Sequence, residues 1–229
     1  VMTCTLNRDP WRYQCFDDYE AMIYWKKYDN DVWEYDYTIF DKWVEFMMSL
    51  GIDQQINCYS MIPWKLEFDY FDEATGKIAS IKAEPTSNEY KIYWMTFIAD
   101  FAAHLRQKGW FEKTNIAMDE RAEADMLNAY NIASAHGFNM ALAGNYHASL
   151  SDKLQDFCVA IGQDKRFTAE QRADRKAKNR ITTIYTSCAE AEPNIYSNSF
   201  PAEATFLPIY AAANNLDGYL HWAWINWDE

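Results

Sequence analysis

Thr114-Asn115-Ile116-Ala117-Met118-Asp119-Glu120-Arg121 is the stretch that decides the fold. Its first five residues form a run of strand length, and two carboxylates and a guanidinium follow without a spacer. Met126, Ala129, Tyr130 and Ala133 then recur at helical spacing, and Gly137 stands where a helix would end. The order is strand, acidic turn, helix, and it repeats on both sides.

Upstream, Met2-Thr3-Cys4-Thr5-Leu6 reads as a first strand, followed by an aromatic, acidic loop from Asp9 to Trp33 that is long for a strand-to-helix connection. Ile39, Phe40, Trp43, Val44, Met47 and Leu50 have helical spacing before Gly51, and Ile52 to Tyr59 reads as a strand. Two alternating runs between Trp64 and Ala83 flank Glu73-Ala74-Thr75-Gly76-Lys77, the pattern of an inserted β-hairpin that could wall one side of a cleft. Thr86-Ser87-Asn88-Glu89 has the capping-box spacing, Thr86 then Glu89, and opens a helix ending at Gly109.

Downstream of Gly137, strands are expected at Phe138 to Ala143, Leu154 to Ile161, Ile181 to Ser187 and Leu220 to Ile225, with helices at Thr168 to Lys178 and Pro201 to Asn214. Seven strands alternating with helices imply parallel pairing through right-handed crossovers. No glycine-rich nucleotide-binding loop appears, so a closed barrel is preferred to an open doubly wound sheet. The expectation is a (β/α)8 TIM-type barrel, its first βα unit missing, with residues 1–229 forming one catalytic domain of seven βα units.

Composition narrows the partners. The net charge of −13 repels phosphate backbones, and no basic stripe interleaves with aromatics, which argues against a nucleic-acid ligand. No apolar run is long enough to cross a bilayer. The 10 tryptophans and 16 tyrosines are many for 229 residues; flat rings suit the apolar faces of sugars, although most such rings pack in cores. Cys4, Cys15, Cys58, Cys158 and Cys188 show no Cys-x-x-Cys spacing, and Cys4, Cys58 and Cys158 sit in apolar runs as small hydrophobes. The chain opens at Val1 on a strand-like run with no initiator or signal segment, so a missing N-terminal portion is expected.

In barrels of this kind reactive groups lie at the C-terminal ends of strands, which singles out Asp119 and Glu120. Acidic residues also favour helix N-termini for their dipole alone, so position and composition do not name a substrate. Tyr59, Trp64, Tyr185, Trp222 and Trp224 lie at or near expected strand ends and could contact a sugar, with packing as the competing role; Arg121 could bind ligand or form an ordinary ion pair. Neighbouring strand residues point opposite ways, so for both carboxylates to reach one substrate the backbone must distort locally.

Several stretches carry a resemblance. Phe40-Asp41-Lys42-Trp43-Val44, Leu50-Gly51-Ile52, His104-Leu105-Arg106, Lys108-Gly109-Trp110 and Ile116 to Arg121 resemble the catalytic domain of glycoside hydrolase family 123, as do Pro193-Asn194, Ser199 to Glu203 and Asp217 to Trp224. The resemblance implies a retaining exo-β-N-acetylgalactosaminidase acting on glycan and glycosphingolipid termini, without metal or organic cofactor. It also implies a secreted, periplasmic or cell-surface location in bacteria. The family's adjacent Asp-Glu falls on Asp119 and Glu120, while His221 stands where arginine is expected.

The implied chemistry is substrate-assisted, with the sugar's own acetamido oxygen as nucleophile. Asp119 would begin ionised and orient the acetamido group; Glu120 would begin protonated and serve as acid, then base. The competing readings are a carbohydrate-binding or catalytically degenerate barrel and a metal-dependent hydrolase. The latter is disfavoured because His104, His136, His147 and His221 form no ligand motif.

Overall fold

The computed structural model describes residues 1–14, 18–190 and 192–221. The described residues divide into two compact units, the first up to residue 140 and the second from residue 141. In chain order the first holds β1 (Met2–Thr5), β2 (Tyr24–Lys27), β3 (Trp33–Asp36), α1 (Thr38–Ser49), β4 (Ile56–Tyr59), β5 (Glu67–Asp72) and β6 (Lys77–Lys82). It continues through α2 (Asn88–Lys108), β7 (Thr114–Met118) and α3 (Glu123–Ala135). The second holds most of β8 (Asn139–Gly144), then β9 (Asp156–Ala160), α4 (Ala169–Ala177), β10 (Ile181–Tyr185), α5 (Pro201–Ala213) and β11 (Gly218–Tyr219).

In the first unit β1, β4 and β7 pair in parallel, with Cys4 opposite Cys58 and Cys58 opposite Ile116. Every residue of β4 and β7 is buried, as expected for parallel strands covered on both faces. In the second unit β8, β9, β10 and β11 follow one another, again in parallel. The mixed α/β architecture with seven parallel strands is that of a partial TIM-like barrel.

The expected long loop between Asp9 and Trp33 is partly sheet. β2 and β3 form an antiparallel pair, and β2 also joins β5 in parallel, making a second sheet in the order β3-β2-β5-β6. The inserted hairpin is present as β5 and β6, with Asp72 opposite Lys77. Its partnership with β2 could not be read locally, because a pairing across more than 40 residues leaves no periodic trace.

This second sheet also accounts for many of the rings. Trp25 stacks on Tyr93 at 4.5 Å and on Phe97 at 4.2 Å, while Trp94 and Phe68 close the cluster edge-on. Its indole donates to the Leu6 carbonyl at 2.7 Å, tying the cluster to the end of β1. These aromatics, on α2 and the small sheet, are core.

Helix ends follow their sequence signals with one shift. Ser87, not Thr86, caps α2, its hydroxyl accepting from the Tyr90 N–H at 3.1 Å. Glu89 lies in the first turn, where the dipole favours it, instead of closing a capping box. Gly109 ends α2 at φ +73°, a conformation glycine adopts without a Cβ penalty. The strand beside β10 is Gly218–Tyr219, before the expected Leu220 to Ile225; Leu220 and His221 are not strand, and that range from residue 222 onward lies outside the described residues. Cys4, Cys58 and Cys158 are buried free thiols. Among the described residues no helix is long and apolar enough to cross a membrane.

Candidate active site

β7 delivers Asp119 and Glu120 at its C-terminal end, where the strand stops in a tight turn. The Arg121 N–H donates to the Asp119 carbonyl at 2.8 Å, a three-residue γ-turn centred on Glu120. This is the local distortion that two consecutive carboxylates require. It gives them different surroundings: Asp119 is 7% exposed, whereas Glu120 is at the surface.

Asp119 has lost water without fully replacing it. Its Oδ2 is buried with no hydrogen-bond partner of ordinary geometry among the described residues. Burial is the largest influence on its acidity and, helped by the neighbouring Glu120, pushes the carboxyl up to about 7; the Trp11 indole and Arg121 act in the opposite direction. The group expected to begin ionised is therefore the one that holds a proton near neutrality in the free protein. Hydrogen bonds are too few to outweigh desolvation.

The surrounding wall comes from the ends of β1 and β4. Trp11, after β1, packs its ring 5.1 Å from that of Tyr59, the last residue of β4 and itself buried. Asn7, one residue beyond the Leu6 end of the strand-like run, accepts from the Ser60 N–H through Oδ1 at 3.1 Å, while its Nδ2 is buried without a partner among the described residues. A buried donor of this kind is what a ligand or ordered water satisfies. On the other side Arg121 lies over the Trp64 ring, 5.2 Å from its centroid, and the Trp64 N–H is held by the Pro10 carbonyl at 3.0 Å.

Thus Asp119, Glu120, Arg121, Trp64 and Tyr59 are gathered around one strand end of the first unit. Tyr185 ends β10 in the second unit and is half-buried. Trp222 and Trp224 lie outside the described residues. Two residues at this wall were not singled out from the sequence, Trp11 and Asn7. Asn7 was within reach, because the strand-end rule that selects Asp119 also selects a polar residue closely following β1. Trp11 carried no such signal, since its approach to Asp119 depends on a loop fold.

A buried carboxyl poised near neutrality beside an exposed carboxyl suits acid–base work on a neutral ligand. The comparisons with known proteins agree on the class. The family model described as glycoside hydrolase 123, catalytic domain, matches residues 1–229. Among solved structures, the chain is similar to a family 123 glycoside hydrolase from Clostridium perfringens, studied for glycolipid glycan hydrolysis, with 30% identity and a TM-score of 0.89. That similarity covers 98% of this chain and 42% of the other, so the chain spans less than half the length of that relative. The search of curated proteins returned no match. With the family model matched from the first residue to the last, the chain belongs to glycoside hydrolase family 123, as a catalytic domain.

Proposed function

We propose that residues 1–229 act as one catalytic domain, seven units of a (β/α)8 barrel, and remove terminal β-N-acetylgalactosamine from glycans or glycolipids with retention of configuration. The observation that carries this reading is the unequal pair at the end of β7, Asp119 buried with an unsatisfied oxygen and Glu120 exposed. The relative studied for glycolipid glycan hydrolysis supports the substrate class.

Asp119 accepts the acetamido N–H through its unsatisfied oxygen and turns the acetamido carbonyl toward the anomeric carbon. That carbonyl oxygen bonds to the anomeric carbon as the glycosidic C–O bond breaks, and Glu120 transfers its proton to the departing oxygen. The resulting oxazolinium carries positive charge next to Asp119. Water then attacks the anomeric carbon, gives its proton to Glu120, and the acetamido oxygen leaves. The exposed position of Glu120 lets one group face the leaving oxygen in the first step and water in the second.

Burial of Asp119 has a purpose in this scheme. In a site with little water, an anion next to the oxazolinium stabilises it more than a solvated one would. The substrate N–H and the developing positive charge both favour the ionised form, so binding lowers the proton affinity that burial raised.

The test compares aryl β-glycosides of N-acetylgalactosamine and N-acetylglucosamine, with the galacto-configured thiazoline as inhibitor. Turnover of the galacto substrate with strong thiazoline inhibition is expected. Turnover insensitive to the thiazoline would remove the substrate-assisted step. A sugar-binding protein without turnover would leave only the degenerate-barrel reading.

A further inference from the structure

Beside the catalytic wall lies a small polar notch that the scheme above does not use. Arg8, Asp9, Arg12, Lys65, Glu67 and Asp69 line a cavity of about 20 Å³, room for one water or one hydroxyl and no more. It is continuous in sequence with the site on both sides. Asp9 precedes Trp11 by two residues, and Lys65 follows Trp64, whose N–H is held by the Pro10 carbonyl.

The notch is built, not merely charged. Asp9 is 8% exposed, and its Oδ2 is buried without a hydrogen-bond partner among the described residues, with Arg12 Nε 3.8 Å away. Arg8 donates from Nη2 to Asp18 at 3.1 Å, and Glu67 is held by Lys65 and by Lys82, the latter at 2.7 Å. Arg12 stands 3.8 Å from Glu67 and Arg8 Nη1 3.8 Å from Asp69, separations that leave the Arg12 donors and Arg8 Nη1 room for a ligand atom. Three cations face four carboxylates once Asp18 is included. A lone anion or cation would find no excess of opposite charge here. A hydroxyl, which donates one hydrogen bond and accepts others, matches both kinds of wall. The Asp9 backbone sits at φ +49°, a left-handed conformation that aspartate and asparagine tolerate better than most residues.

We propose that this notch is a leaving-group subsite that captures one hydroxyl of the sugar to which the terminal residue is attached, with Asp9 as acceptor and Arg12 as donor. This deepens the hydrolase reading and rests on it. A sugar carrying a carboxylate at that position is disfavoured, because Asp9 is already short of compensating donors. The subsite therefore selects neutral leaving-group sugars.

The test uses the complete chain and two substrates, an aryl β-N-acetylgalactosaminide, which carries no second sugar, and a disaccharide with the same terminal residue on a neutral hexose. Asp9→Asn keeps shape and suits the left-handed backbone; Glu67→Gln alters the opposite wall and serves if the first variant fails to fold. The ratio of kcat/KM for disaccharide over aryl glycoside is expected to fall roughly tenfold in Asp9→Asn, the worth of one hydrogen bond to a charged group. Among monodeoxy disaccharides, one is expected to lose a similar factor with wild type and little further with Asp9→Asn. A ratio within twofold of wild type in both variants overturns the subsite while leaving the hydrolase intact. Wild type inactive on both substrates overturns the hydrolase reading and the subsite with it.

Discussion

Two buried ionisable side chains, Arg175 of the second unit and Asp119 of the first, are treated in opposite ways. In the second unit Arg175, 2% exposed, donates from Nε to Thr182 Oγ1 at 2.8 Å and from Nη1 to the carbonyls of Ser151 and Leu154, and from Nη2 to that of Ile181. Burial lowers its pKa to about 10, so it remains charged at neutrality, locking α4 to the strands around it. In the first unit Asp119, 7% exposed, has one oxygen without a hydrogen-bond partner among the described residues and is pushed up to about 7. Arg175 is held by acceptors that the fold supplies, whereas Asp119 keeps an acceptor that a ligand or ordered water can fill.

The comparison breaks most visibly at the exposed partner of the unsatisfied group. Glu120→Gln is expected to cost roughly 10³- to 10⁴-fold in kcat on substrates with poor leaving groups, toward the upper end of what a positioned general acid supplies. Activated aryl glycosides need little protonation and should be partly spared. Equal loss on both substrate types would remove Glu120 from the acid role. Next in size, Arg175→Leu strips four hydrogen bonds and strands three buried carbonyls, at roughly 3–5 kcal/mol. In a chain of this length that amounts to a fall in Tm of about 6–20 °C. Activity of the protein still folded at low temperature should stay within twofold. If Arg175→Leu melts like wild type, satisfaction is not what gives that arginine its structural role.

How much of this was legible in sequence follows the same divide between local and long-range causes. β7, α3, the hairpin of β5 and β6, and the acidic pair at the end of β7 came from periodicity and order, which are properties of a few neighbouring residues. The second sheet did not, because β2 meets β5 across a long excursion and its four residues look like loop. The strand-end rule found Asp119 and Glu120 and would have found Asn7 had it been applied to β1. It could not assign protonation. Whether Asp119 is the drier carboxyl depends on the γ-turn at Glu120 and on the Trp11 loop, and neither is written in the Asp-Glu dipeptide. The aromatic richness was also ambiguous by nature, since Trp25 in the core and Trp64 under Arg121 are the same residue type in similar surroundings of sequence.

Smaller in effect, and sharper as a test, is the behaviour of Asp119 itself. Asp119→Asn should slow kcat about 10²-fold while leaving binding of the free sugar within a few-fold, since the amide presents the acetamido N–H with a weaker acceptor. The same substitution reports on the free protein. A carboxyl whose folded pKa lies above its unfolded value of 3.8 binds more protons when folded, so stability is full below about pH 4 and falls as pH rises to about 7. The slope is at most about 1.4 kcal/mol per pH unit. Asparagine does not titrate, so the variant should gain on wild type progressively between pH 4 and 7, and the gain should level off above that. In turnover the sign reverses, because the proposed scheme needs the ionised form: kcat/KM should fall tenfold per unit of pH below about 7, on a limb that belongs to the free enzyme. Paired melting curves at pH 5 and pH 8 with a kcat/KM profile measure both. A variant whose advantage is equal at the two pH values, with no acidic limb near 7, would mean that Asp119 is satisfied after all, and the contrast with Arg175 would vanish.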